Sequence, residues 1–297
     1  MPQARTMRRN RRNRKVQVER MPILLKRLSP RRQEVVRAVL ENPRDYVLLS
    51  TRKLARKLGS DAMTTLRIIR DMGFHNYPEF QRYLHELSLI HSTPLESMKA
   101  DEARDAKMPS YIRKSLARDF KNLQALRHTL DFKRVEGVAK RLHRAQRILL
   151  LGGDLATNLA KFLQYNMTLL GLPVLTPVTP GEVAHTVRSV CRKDVVIAIS
   201  FRRGLRQTVE GMREAASKGA YCVGITDTFV SPIARYANEF FLASVESSSY
   251  GVSYVAPMAL LNMLLVACAN YRRTRALRFL KEADMEQRTG FRWYQEE

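Results

Sequence analysis

The segment DVVIAIS, residues 194–200, sets an unbroken apolar run, Val195 to Ile199, between Asp194 and Ser200. The run is too short for a buried helix and rich in Val and Ile, so it reads as a strand covered on both faces. Upstream, RILLLGG (147–153) has the same form and closes on two glycines. Downstream, AYCVGIT (220–226) and NEFFLAS (238–244) give a third and a fourth strand. Helical stretches of about 12 to 18 residues separate most of them, and a long apolar helix from about Val252 to Arg273 follows. Apolar strands alternating with helices predict a doubly wound parallel sheet with helices on both faces.

The N-terminal third has a different rhythm. Ser29-Pro30 opens a helix in which Val35, Val36, Val39 and Leu40 recur at helical spacing, and Asn42-Pro43 closes it. A second helix runs from Ser50 or Thr51 to Gly59, and a third from Ser60 or Asp61 to Gly73. The fourth follows Tyr77-Pro78, with Phe80, Leu84 and Leu87 on one side. The Thr51–Met72 pair follows helix-turn-helix grammar: Leu54, Ala55 and Leu58 pack the first helix, Gly59 turns, and Leu66 and Ile69 bury the second. Asp61, Ala62, Thr64, Thr65 and Arg67 are then expected to face outward, where short polar side chains can enter a major groove about 12 Å wide. Thr51, Arg52 and Lys53, with Arg56 and Lys57, are placed for backbone phosphates. A basic bundle that binds protein is the competing reading.

Composition bounds the partners. The 297 residues carry 52 Lys and Arg against 28 Asp and Glu, a formal charge of +24, and are 45% hydrophobic. Such a chain can bury a core and usually meets a polyanion; a soluble enzyme with a basic surface is the alternative. The longest apolar run, Val255–Ala269, is shorter than the roughly 18 residues needed to span a bilayer, so no membrane partner is expected. Cys191, Cys222 and Cys268 lie far apart and form no CxxC pair, which argues against a disulfide framework or a metal site and for a cytoplasmic setting. No cofactor is implied. Residues 1–20 hold eight Arg or Lys against one Glu and read as a disordered basic arm, either reaching DNA phosphates or merely solvated. The expected organisation is this arm, a helix-turn-helix domain (21–91), a linker (92–110), an α/β domain (111–274) and a C-terminal tail (275–297).

Residues 28 to about 85 resemble the N-terminal domain of the RpiR/MurR family of transcriptional regulators. The specific part is TTLRIIRDMGFHNYPEFQ (64–81), where Arg67, Gly73, Phe74, Tyr77 and Pro78 match. Asp61 stands where the family often has Ser, and Asn76 replaces the usual Gly of the turn. From about Leu130 to Asn270 the chain resembles the SIS (sugar isomerase) domain these regulators carry, ITDTFVSPIARYAN (225–238) being the closest element. The resemblance implies DNA binding, a sugar phosphate held at the C-terminal strand ends by hydroxyls and helix-start N–H groups, and a homodimer or homotetramer.

The two ligand loops depart from the family pattern. Where relatives read Gly-x-Gly-x-Ser, this chain has Gly152-Gly153-Asp154-Leu155-Ala156; where they read Ser-x-Ser-Gly-x-Thr, it has Ser200-Phe201-Arg202-Arg203-Gly204-Leu205. The hydroxyl cradle is largely gone. Three readings stay open: Arg202 and Arg203 hold an anion with guanidinium forks, the effector is of another class, or the pocket is vestigial and the domain serves to dimerise. Asp154 taken alone suits a helix N-cap. The domain also occurs in aldose–ketose isomerases, which need a base beside the substrate carbon. Glu182, His185 and Glu246 are candidates, yet they form no constellation, so no catalytic residue is expected. The working expectation is a regulator whose paired chains read a palindromic operator, with half-sites about 34 Å apart.

Overall fold

In the computed structural model the described residues are 28–90, 95, 98, 108–202, 204–248 and 250–289. They divide into two compact units between Glu96 and Ser97. The basic arm and most of the expected linker lie outside the described residues.

The first unit is all helical: α1 (Pro30–Glu41), α2 (Arg44–Val47), α3 (Thr51–Lys57), α4 (Ala62–Asp71) and α5 (Tyr77–Ile90). Pro30 sits in the first turn of α1, where its missing N–H costs nothing. Gly59 (φ +61°) and Gly73 (φ +88°) make the left-handed turns after α3 and α4, conformations that side chains with a Cβ resist. Between α4 and α5 the turn is locked reciprocally. Asn76 Oδ1 accepts the Glu79 N–H at 2.9 Å, and Glu79 Oε2 accepts the His75 N–H at 2.8 Å. Asn76 thus serves as a helix cap, which a glycine there could not do. Tyr77 donates its hydroxyl to the Leu49 carbonyl at 2.6 Å, and the Phe74 and Phe80 rings meet edge-on at 5.2 Å. The family-like Gly-Phe…Tyr-Pro element therefore ties α5 to the loop ahead of α3.

The second unit opens with α6 (Met108–Thr129) and α7 (Phe132–Leu142), followed by β1 (Ile148–Gly152), α8 (Ala156–Leu169) and β2 (Val174–Leu175). Then come α9 (Pro180–Arg188), β3 (Val195–Ile199), α10 (Arg206–Ser217), β4 (Tyr221–Thr226), α11 (Pro232–Tyr236) and β5 (Glu239–Leu242). The helices α12 (Val255–Tyr271) and α13 (Arg273–Thr289) complete it. All strands are parallel, in the order β2-β1-β3-β4-β5. Ile148, Leu150, Val195, Ile197 and Val223 face α7, α8 and α12. Leu149, Leu151, Val196, Ala198 and Cys222 face α9, α10 and α11. Because both faces are covered, β1 and β3 are buried at every position. Burial pushes the Cys222 and Cys268 thiols up to about 12, which keeps them protonated and inert.

Three features differ from the sequence reading. The short edge strand β2 has too few residues for a periodic signal, and its Val174 and Leu175 pair with Ile148 and Leu149. Met108–Ser110, expected in the linker, form the first turn of α6. Residues 275–289, expected as a tail, continue a helix that docks: Ala276 is buried, Arg275 donates to the Gly171 carbonyl at 2.8 Å, and the Phe279 ring covers Gly171. Residues 290–297 lie outside the described residues. No single helix among those described is long and apolar enough to cross a membrane.

Candidate nucleic-acid interface and effector site

In the first unit, Ser50 caps α3 by accepting the Lys53 N–H, and Leu54 and Ala55 turn inward. Arg52, Lys53, Arg56 and Lys57 are exposed and Thr51 is half-exposed, so α3 carries a basic outer face. Lys57 is partly committed within the unit: its ammonium donates to the Asp45 carbonyl and lies 4.5 Å from the Tyr46 ring centre. Asp61 caps α4, its Oδ1 accepting the Thr64 N–H at 2.8 Å. Hydrogen bonding from Thr64 holds the Asp61 carboxyl below the usual carboxylate range.

The expected outward set needs correction. Thr65 is 3% exposed, donates its hydroxyl to the Asp61 carbonyl at 2.9 Å, and lines a cavity of about 20 Å³ with Val36, Leu54, Ile69 and Phe80. It therefore cannot reach a base edge in this arrangement. The cause is helical phase: Thr65, Ile68, Ile69 and Met72 fall on one side of α4, so Met63, Arg67 and Arg70 fall on the other. Leu66, expected in the core, is half-buried, as are Ala62 and Thr64. Met63 is 67% exposed, and Arg67 and Arg70 are exposed with it. Met63 was absent from the outward set read from sequence, which held polar and small residues alone.

In the second unit the strand order reverses between β1 and β3, since β1 leads outward to β2 and the chain then crosses to β3. A crevice outside the carboxyl ends of such a strand pair is where open α/β sheets bind ligands. Both expected ligand loops open there. Among the described residues, the two non-glycine residues with left-handed backbone are Asp154 (φ +54°) and Arg202 (φ +57°), one in each loop. Sparsely populated conformations of this kind concentrate at clamps and switches.

Gly152 is needed sterically, whereas Gly153 faces the movable end of a side chain. A Cβ on Gly152 would lie 2.9 Å from the Ala156 carbonyl oxygen, and one on Gly153 would lie 2.4 Å from Leu205 Cδ1. Asp154 is exposed and does not cap α8; the residue preceding that helix is Leu155, with helical backbone and no capping side chain. Ala156 is buried and brings no hydroxyl. Ser200 is buried, and Gly204 packs against Val209 within reach of Ser200. Arg203 lies outside the described residues.

Arg202 turns inward. Its N–H donates to Asp227 Oδ1 at 2.9 Å, and its Nη2 donates to the Gly251 carbonyl at 3.3 Å. Burial lowers the Arg202 pKa, and the Asp227 carboxylate opposes that effect. Burial likewise raises Asp227, opposed by hydrogen bonding from the Arg202 N–H. Tyr254 packs its ring 5.6 Å from Phe201, and burial, with the Asp154 charge next, raises its pKa. Asp154, Arg202, Asp227 and Tyr254 thus converge from four segments. Sequence reasoning missed Asp227 and Tyr254. A carboxylate directly after a strand buried from Cys222 to Thr226 was the available signal for Asp227, whereas the stretch before Tyr254 has no periodicity.

Among the described residues no bond joins the candidate bases to this crevice. Glu182 is engaged in a capping box, its carboxylate accepting the Val178 and Thr179 N–H groups at 2.8 and 2.9 Å. His185 is exposed on the same helix, and Glu246 pairs with Arg118 at 2.6 Å. Among the described residues no three His, Cys, Asp or Glu side chains are grouped to hold a metal.

A helical unit joined to a doubly wound five-stranded sheet with loops of this kind defines a class, and residues 141–267 match the SIS domain model. The RpiR/MurR resemblance of the sequence is supported by relatives named HTH-type transcriptional regulators and by an RpiR structure. The chain is similar to the HTH-type transcriptional regulator HexR of Escherichia coli (strain K12), 24% identical over 287 residues, covering 91% of this chain and 95% of that protein. An uncharacterised HTH-type transcriptional regulator of Haemophilus influenzae is 23% identical over 72% of this chain and 75% of its own length. In structure, the sugar isomerase domain of an RpiR transcription factor from Sphaerobacter thermophilus matches with a TM-score of 0.57 and 26% identity, over 61% of this chain and 99% of that one. The Vibrio vulnificus NanR protein, complexed with ManNAc-6P, matches over 93% of this chain and 99% of its own with a TM-score of 0.57 and 18% identity.

Proposed function

We propose that the chain is a DNA-binding transcription regulator of the cytoplasm, whose SIS domain pairs two copies and responds to a small anionic, sugar-phosphate-like metabolite. The observation that carries the DNA-binding half is the α3–α4 surface: Arg52, Lys53 and Arg56 beside an outward face of Met63, Arg67 and Arg70. Cations on the first helix fit phosphates, and a second helix led by its N-terminus fits a major groove. Arg67 can pair bidentately with guanine, and the Met63 methyl thioether offers an apolar contact for a thymine methyl. Catalysis is set aside because the candidate bases are used in capping and ion pairing, and because the full-length relatives carry regulator names.

Pairing is supported by α6. Met108, Ile112, Leu116 and Phe120 recur every four residues and are 58 to 75% exposed. A ridge of that spacing packs into its equivalent on a second helix at about −50°, so a second copy of the chain is the proposed occupant. The effector reading is supported by the crevice at the strand-order reversal and by ManNAc-6P in the complex of NanR, a protein of the same fold. One observation favours a second reading, a regulator that ignores small molecules: Leu205 lies over Gly153 and Arg202 is held within the chain.

Selection of bound duplexes from a random library tests the proposal. The expected product is an inverted repeat with half-sites about one helical turn, 34 Å, apart. Recovery of no shared sequence would refute operator reading.

A further inference from the structure

The Arg202–Asp227 arrangement bears on how an anion could enter the crevice. Asp227 is half-buried, and its Oδ1 accepts the Arg202 N–H at 2.9 Å and the Thr226 hydroxyl at 3.4 Å. Its Oδ2 is buried and has no hydrogen-bond partner among the described residues. A carboxylate in that state depends on neighbouring positive charge; its bond to Arg202 is through the main-chain N–H, and the guanidinium attracts it from beyond ion-pair distance. That guanidinium is meanwhile directed to the Gly251 carbonyl, from a backbone in the left-handed region. Both features leave Arg202 in a conformation that a better partner could relieve. Phosphate is such a partner, because a guanidinium fork bonds two of its oxygens at once.

We propose that Arg202 is a parked anion receptor: the nearby Asp227 carboxylate competes by its charge for the guanidinium, and a phosphate-bearing effector binds by drawing that guanidinium away from the Gly251 carbonyl. The inference rests on the anionic-effector reading above and adds the residue that opposes binding. It explains how the site can act without the hydroxyl cradle of its relatives. It also gives the effector a mechanical output, since taking Arg202 frees the Gly251 carbonyl and loosens the segment that leads into α12.

The test is titration of the full chain with inorganic phosphate and with glucose 6-phosphate, followed by calorimetry. Asp227→Asn keeps an acceptor for the Arg202 N–H and deletes the competing charge. It is expected to tighten binding of at least one probe by about fivefold or more, the low end of ordinary coupling between sites. Adding Arg202→Ala to Asp227→Asn is expected to abolish that binding. Equal or weaker binding by Asp227→Asn, with measurable binding by the unaltered chain, would overturn the parked-receptor proposal and leave the effector reading standing. Absence of binding by both would overturn the effector reading and this proposal with it. Retained binding by the double variant would remove Arg202 as the receptor. Should Asp227→Asn fail to fold, hydrogen exchange on the unaltered chain decides: saturating phosphate is expected to speed exchange at residues 250–254. Protection there, or no change, would contradict release.

Discussion

Thr65 and Met63 sit two residues apart in α4; the structure buries the first, expected outward, and exposes the second. A threonine near the start of a second helix has the right chemistry for a base edge, yet its place in the turn aims it into the core. Thr65→Ala is therefore expected to cost about 1 to 2 kcal/mol through the lost hydroxyl bond and methyl group. Its effect on DNA should be the same for selected and random duplexes at temperatures where the variant is folded. Met63→Ala is expected to leave stability within about 0.5 kcal/mol and to relax preference at one base-pair position. Competition binding with single-base variants of the selected duplex separates the two. A Thr65 effect confined to one base pair would contradict the assignment.

Asp194 is the other residue whose role is explicit. It is 1% exposed, accepts from Arg147 Nε and Nη2 at 3.2 and 2.7 Å, and takes the Cys191 N–H at 2.9 Å. Burial alone would raise its pKa, but the Arg147 and Cys191 bonds outweigh burial and hold it below the ordinary range. Because the native carboxyl is the more acidic, its contribution is fully present above the unfolded value of about 3.9 and is lost as pH falls through the native value. Asp194→Asn is expected to destabilise by ~2 kcal/mol near neutral pH. The gap from the unaltered chain should narrow below about pH 4; a gap that widens in acid would contradict this origin.

At the level of elements, legibility followed burial. The strands β1, β3 and β4 could be read because helices on both faces demand apolar residues at nearly every position, a pattern with no helical period. The two-residue β2 could not, since its strand state comes from pairing with Ile148 and Leu149. The ends of α4 were legible from Asp61 and Gly73, but its orientation was not. A helix as short as α4 leaves phase ambiguous by one residue, enough to interchange Leu66 with Thr65. The crevice at the strand ends was half legible: the loops carrying Gly152, Asp154, Ser200 and Arg202 were placed from sequence, while Asp227 and Tyr254 arrive through tertiary packing. The exposed ridge on α6 also belongs to this scale. Ile112→Glu with Leu116→Glu should leave the monomer folded, because both side chains are exposed, and should shift sedimentation toward monomer at micromolar concentration. Unchanged assembly would remove α6 as the pairing face.

For the whole molecule, charge and specificity must be kept apart. A chain of formal charge +24 will bind any duplex at low salt, since neutralised phosphates release counterions whatever their sequence. Reading an operator requires more: a fixed set of side chains on a fixed helix face, presented twice by paired chains. The most direct test is affinity for the selected inverted repeat and for its shuffled sequence, measured between 50 and 200 mM salt. Both affinities are expected to fall with salt while their ratio stays at about 10³ or more. Two parallel lines separated by a ratio near one would show that charge alone binds DNA, and would contradict the account.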